Sequence, residues 1–261
     1  MNYEHILVVE QEGLITITLH RPQVYNALNA SILRELAQAI VECSSNNNIR
    51  AVLLTGSGDK AFCSGADLKE ATGMEVRPLG ESLKENYEPV ILGIRNCPKP
   101  VICKLNGVAA GAGMSLALAC DLIVADENTY MAELFVGIGL MPDAGSMFFL
   151  PRMIGMQKAF EIFSTGRKIY MKEALELGLV SKSVPTAELN TTVNQLIEYY
   201  KTAPTFAIAQ MKRVLNASYQ SSLTEVLQME AEGQTKCGYS NDFGEGVMGF
   251  LQKRTPKYKG N

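Results

Sequence analysis

The chain has 261 residues, of which 47% are hydrophobic and 20% charged, with a net charge of −3 at neutral pH. That length fits one large domain or a domain with an appendage, and the balance is that of an ordinary water-exposed globular surface. The small negative charge gives no electrostatic reason to expect nucleic acid or an anionic membrane as partner, and no apolar run approaches the ~20 residues of a membrane span.

In chain order, "HILVVEQ" and "LITITLH" are β-branched runs separated by "EG", which predicts a hairpin. "LNASILRELAQAIVEC" places Ile32, Leu33, Leu36, Ala39, Ile40 and Cys43 at helical spacing, so an amphipathic helix is predicted there. "IRAVLLTG" reads as a buried strand ended by Gly56, "ENYEPVILGIRN" as a second helix, and "PVICKLNG" as a further core strand after the breaker "CPKP". "GAGMSLALAC" is rich in helix formers behind a glycine-rich entry, and "DLIVAD" returns to strand. This β/α alternation runs down to "GLVSKSV". Beyond about residue 186 only helical segments follow, with Pro204 near the start of one, where a missing N–H costs little. The predicted organisation is a β/α body over 1–197 and a helical region over 198–261 that covers the site or joins subunits.

The six cysteines are Cys43, Cys63, Cys97, Cys103, Cys120 and Cys237. No two are spaced C-x-x-C, and the two histidines, His5 and His20, both lie near the start, so no metal site is expected. "MNYEHILVVEQ" carries acids and no long apolar run, which argues against a leader. Scattered thiols without one predict a reducing cytoplasm.

Two stretches run from strand through small residues toward helix: "AFCSGADL" (61–68) and "NGVAAGAGMSLALA" (106–119). Such junctions leave free N–H groups where an anion can approach. Two of them face to face would make an oxyanion hole, although glycine-rich turns also serve packing alone. Neither is a Walker loop or a good G-x-G-x-x-G, and a nucleophile-elbow G-x-S-x-G is missing, so nucleotide cofactors and serine triads gain no support. One further stretch, "GLMPDAGSMFFLPR" (139–152), places Asp143 directly after a Met141-Pro142 turn. By local chemistry alone Asp143 is a turn residue and the cap of the next helix.

Together "RPQVYNALN", "KAFCSGADL", "NGVAAGAGMSLALACDLIVA", "VGIGLMPDAG…LPRMIG", "ALELGLVSKSV" and "EGVMGFLQKRTPKY" resemble, in order and over nearly the whole chain, the crotonase superfamily of enoyl-CoA hydratases and isomerases. The resemblance implies an α/β fold, a crotonase-like spiral of ββα units with a C-terminal all-helical region, assembled as a homotrimer or dimer of trimers. It implies an acyl-CoA thioester as substrate, with coenzyme A part of that substrate and no separate cofactor. By position, the oxyanion donors would be the N–H groups of Ala66 and Ala112. Contacts to coenzyme A and substrate would fall on Ala27, Leu28, Ser64, Asp67, Leu68, Gly111 and Phe135. Lys253 would reach the phosphates, or else lie on the solvated surface.

Hydratases of this family use two glutamates, and their positions here hold Ser115 and Phe135, neither of which can act as a base near neutral pH. Glu133 stands two residues away and reads as an exposed or salt-bridged acid. Asp143 occupies the position of the acid in 3,2-enoyl-CoA isomerases of the peroxisomal type and in 1,2-epoxyphenylacetyl-CoA isomerases. In that context it becomes the catalytic candidate. The expected activity is therefore an isomerase that shifts a double bond with one carboxylate. The alternatives are a hydratase working with one acid and a non-catalytic acyl-CoA-binding member. A dehalogenase reading is weak, because the chain has no Trp and its histidines lie at the wrong end. The stretch "EATGMEVRPLGESLKENYEPV" is expected to cover the acyl pocket.

Overall fold

The computed structural model describes residues 3–69 and 78–261. β1 (Ile6–Gln11) and β2 (Leu14–Leu19) pair antiparallel as predicted. Glu12 and Gly13 between them both hold positive φ, 47° and 83°, which suits the twist of a two-residue hairpin. α1 (Ala30–Ser45) starts where the Asn29 side chain accepts the Ile32 N–H at 3.0 Å. Its predicted apolar face, from Ile32 to Cys43, is buried. Truncating a side chain such as Leu36, fully buried there, would cost roughly 2–5 kcal/mol.

From here each turn of the chain lays one strand in a large sheet and the next in a small one. β3 (Ala51–Gly56) is followed by β4 (Ala61–Cys63), β5 (Val101–Leu105) by β6 (Val108–Ala110), and β7 (Leu122–Asp126) by β8 (Tyr130–Ala132). With β9 (Lys168–Tyr170) and β10 (Lys182–Val184), the sheet orders are β1-β2-β3-β5-β7-β10 and β4-β6-β8-β9. Pairings between successive turns are parallel; β1–β2 and β8–β9 are antiparallel. This is the spiral of ββα units.

Helices fill the turns. α2 (Leu79–Ser82) and a π-helical turn over Leu83–Tyr87 lead into α3 (Glu88–Asn96). The predicted helix over 85–96 is thus α-helical only from Glu88. Pro89 has no N–H to give the Glu85 carbonyl, so the ladder changes pitch there. α4 (Ala112–Ala119) is buried on every side, as its composition, apolar or small but for Ser115, requires. α5 (Ser146–Ile154), α6 (Met156–Thr165) and α7 (Met171–Glu176) complete the body.

α8 (Thr186–Thr202) runs unbroken through residues 197 and 198. Its Leu189, Val193 and Ile197 pack on Leu53, Ile102 and Val124 of the large sheet. α9 (Thr205–Ser218) is pinned by Lys212, whose Nζ donates to Asp121 Oδ2 at 2.6 Å and to the Ile94 carbonyl at 2.8 Å. α10 (Leu223–Gly238) and α11 (Asn241–Gln252) follow. These last helices leave Met211, Leu215, Phe243 and Phe250 largely exposed around an apolar groove of about 900 Å³. Among the described residues, no helix is long and apolar enough to cross a membrane.

Candidate functional site

The two glycine-bearing junctions meet, and main chain builds one wall of a cavity between them. Gly65, after β4, holds φ of 97°, and a Cβ there would come within 2.8 Å of the Ala110 carbonyl and 3.4 Å of the Ala112 nitrogen. Leu28 N–H donates to Gly65 O at 2.8 Å and Asp67 N–H to Leu28 O at 2.9 Å. This bridge takes up the groups on either side of Ala66 and leaves the Ala66 N–H out. On the second junction, Gly111 N–H is held by the Ala132 carbonyl at 2.8 Å. Ala112 then opens α4, so its N–H has no carbonyl a turn behind it. Gly113 fixes the spacing: a Cβ there would lie 2.3 Å from the Cys63 carbonyl.

The cavity encloses about 380 Å³. Of the residues singled out from sequence, Leu28, Ser64, Ala66, Asp67, Leu68, Gly111, Ala112, Phe135 and Asp143 line it. Ala27 does not; it is buried, and its carbonyl accepts from Arg21. Lys253 does not line the cavity; it is exposed and ends α11 with a left-handed backbone, φ 52°. Residues 70–77 of the stretch expected to cover the acyl pocket fall outside the described residues. Leu79, Leu83 and Tyr87 from its described part, residues 78–90, do line the cavity.

Asp143 lines the same cavity from the turn before α5. Its side chain does not cap α5: the capping position is Gly145, which makes no side-chain cap bond, and Asp143 Oδ1 is buried with no hydrogen-bond partner. The cap reading fails because Ala144 and Gly145, with φ of 49° and 86°, turn the chain away before the helix begins. The main-chain carbonyl of Asp143 makes the turn instead, accepting from Ser146 N–H and from Ser146 Oγ, both at 3.1 Å. Ser115, at the position of a hydratase glutamate, donates its hydroxyl to the same carbonyl at 3.0 Å. The serine that cannot act as a base thereby fixes the loop that carries the acid. Burial pushes the Asp143 carboxyl up to about 6.

Glu133 corrects an expectation. It is neither exposed nor salt-bridged: its exposure is 0% and both carboxylate oxygens are buried without a partner. Burial, and then the charge of Asp143, raise it well above the usual carboxylate range. Residue type alone gave no sign of this, because its burial comes from the packing of the spiral's third turn. The fastening of the first loop was also missed. Arg21 pairs with Asp67 at 2.9 Å and donates to Ala27 O at 2.7 Å, tying two cavity loops together. Asn26, fully buried with φ of 56°, donates to Ser57 O and Ala61 O. The signal for both lay in "RPQVYNALN". Among the described residues no group of His, Cys, Asp and Glu could hold a metal ion.

The family model for enoyl-CoA hydratase/isomerase matches residues 9–261. The chain is 40% identical over 262 residues to a Rhodobacter capsulatus protein named "Probable enoyl-CoA hydratase", covering all of both chains. It is 35% identical to the 1,2-epoxyphenylacetyl-CoA isomerase of Escherichia coli, over 98% of this chain and 99% of that one. A crystal structure of an enoyl-CoA hydratase from Bacillus anthracis superposes with a TM-score of 0.94 at 34% identity, over 99% of this chain and 100% of that one.

Proposed function

The chain belongs to the enoyl-CoA hydratase/isomerase family, and from that premise we propose that it is an isomerase that moves a double bond in an acyl-CoA thioester. The observation that carries this reading is Asp143. It is a carboxyl raised to about 6 that lines the same cavity as the two junction loops, while the hydratase positions hold Ser115 and Phe135.

In this reading the thioester oxygen sits against the N–H groups of Ala66 and Ala112. Asp143 takes a proton from C2 of a 3-enoyl-CoA, and the electron pair moves onto the thioester oxygen as a dienolate. The two donors stabilise that charge where it develops. Asp143 returns the proton at C4, which leaves the double bond between C2 and C3. One carboxylate suffices because the proton is relocated and nothing is added. Phe135, 8% exposed and lining the same cavity, would help keep water from the acid, whose basicity burial raises. Leu28, Ser64, Asp67, Leu68 and Gly111 would meet coenzyme A and acyl chain, with Ala27 supporting them from behind.

The second reading is hydration, favoured by the name of the Rhodobacter capsulatus relative. The two separate on one comparison: purified protein converts 3-enoyl-CoA to 2-enoyl-CoA faster than it hydrates crotonyl-CoA, and Asp143→Asn loses that conversion while still binding acyl-CoA. Faster hydration would decide for the second reading. Full turnover by Asp143→Asn would remove Asp143 as the base. Binding without reaction on either substrate would favour a non-catalytic member.

A further inference from the structure

Glu133 is a buried carboxyl that the proton transfer just described does not use. It directly follows β8, whose last carbonyl, on Ala132, holds the Gly111 N–H at 2.8 Å. The chain then makes a 3₁₀ turn over Leu134–Ile138 and doubles back, with Leu140 N–H donating to Phe135 O at 3.0 Å. The loop between Glu133 and Asp143 is thus drawn together at 135–140, and the charge of Asp143 acts on Glu133 at its base, here called the neck. Two carboxyls stand at that neck. Asp143 reaches the cavity and Glu133, with 0% exposure, stands behind it. Both Glu133 oxygens and Asp143 Oδ1 are buried with no hydrogen-bond partner.

We propose that Glu133 and Asp143 work as one two-carboxyl unit carrying a single negative charge, with Glu133 the positioning residue that keeps that charge on the cavity-facing Asp143. This rests on Asp143 being the base. Two carboxylates in a poorly solvated compartment cannot both ionise, and the proton stays on the more buried one. Glu133 is that one: burial raises it far above its ordinary value and the Asp143 charge raises it further.

The other ionisable groups on the elements packed around the neck are engaged or turned outward. Arg152 of α5 lies over the Phe148 ring at 3.6 Å, and Lys168 of β9 over the Tyr130 ring at 4.3 Å. On and after α6, Lys158 and Arg167 pair with Glu161, and Arg167 also with Glu173 of α7. Lys172 and Glu176 of α7 are exposed. The Cys63 thiol of β4 is pushed up to about 12 by burial. Tyr87 lines the cavity from the π-helical turn. α4 contributes the neutral Ser115. Among the described residues, the charge that acts on Glu133 is that of Asp143.

While Asp143 holds the substrate proton, both carboxyls are neutral and the negative charge sits with the enolate. If Glu133 ionised, Asp143 would hold that proton too tightly to return it to carbon. Turnover should therefore fall at alkaline pH as Glu133 titrates.

Infrared difference spectroscopy on the whole protein tests the unit. Wild type should show a protonated-carboxyl band at neutral pH that Glu133→Gln removes. In Asp143→Asn, the Glu133 band should titrate lower by about one pH unit or more, because the neighbouring charge is gone. In kinetics, Glu133→Gln should keep the acid limb of kcat/KM and lose the alkaline fall. No protonated band in wild type, or an unmoved Glu133 titration in Asp143→Asn, overturns the proposal. If Glu133→Gln does not fold, the comparison of wild type with Asp143→Asn decides alone. An Asp143→Asn variant with full isomerase activity would defeat the base assignment. A dead one with an unmoved band defeats only the paired unit.

Discussion

The two walls of the cavity are built on opposite principles. The donor wall is main chain, held by hydrogen bonds at Leu28, Gly65, Asp67 and Gly111 and by glycines that admit no Cβ. The acid wall rests on Asp143, with Glu133 behind it; their buried oxygens lack partners and both carboxyls are raised by burial. A donor aimed at a developing charge works best when it cannot move, whereas a base near neutral pH works best when water and partners are withheld. One wall is therefore fastened around two N–H groups left free to donate, while the other is dry and its acids lack partners.

The largest expected effect comes from emptying the acid wall. Asp143→Asn should lower kcat by about 10²–10⁴ with little change in acyl-CoA binding, read from steady-state isomerisation and a binding titration. The donor wall comes next. Gly65→Ala places a methyl 2.8 Å from the Ala110 carbonyl on a backbone with φ of 97°. It should displace the loops and cost about 10² in kcat, on the order of losing one donor. An equal loss from Gly65→Ala and Asp143→Asn, with binding also lost, would mean the walls are not separable.

pH separates them further. As the proposed base, Asp143 would have to be ionised to act, so kcat/KM should fall about tenfold per unit below pH 6, the value burial gives it. For stability the sign runs the other way. The folded carboxyl is raised from an ordinary 3.8 to about 6, so stability is lost as pH rises through that window and stays lost above it. Thermal unfolding should show Asp143→Asn more stable than wild type at neutral pH, by on the order of 1 kcal/mol after solvent screening, with the gap closing near pH 4. The smallest effect falls on the link between the walls. Ser115→Ala removes the hydroxyl that α4 gives the Asp143 carbonyl at 3.0 Å. It should cost about 1 kcal/mol, roughly fivefold in kcat, with the pH profile unmoved.

Local pattern made much of the body legible. The hairpin, the buried face of α1 and the strands β3, β5 and β7 follow from periodicity and from Gly and Pro punctuation. The family resemblance pointed to the cavity residues that line it. What local pattern could not give is what distant segments do to one another. Asp143 reads as a cap until the left-handed pair Ala144–Gly145 turns its side chain from the helix. Glu133 reads as a surface acid until β8 and the doubled-back loop enclose it. The π turn before α3 needed both the missing N–H of Pro89 and a cavity for Leu83 and Tyr87 to face.

The donor wall also has a genetic side. The proposed donors at Ala66 and Ala112 contribute only a peptide N–H, which substitutions other than proline leave chemically intact, while Asp143 is lost with almost any change of its codon. Mutation can therefore reach the two walls unequally. A lineage with this architecture can exchange, lose or relocate its acids and so try a new reaction, while the half of the site proposed to stabilise charge is inherited without depending on any particular side chain.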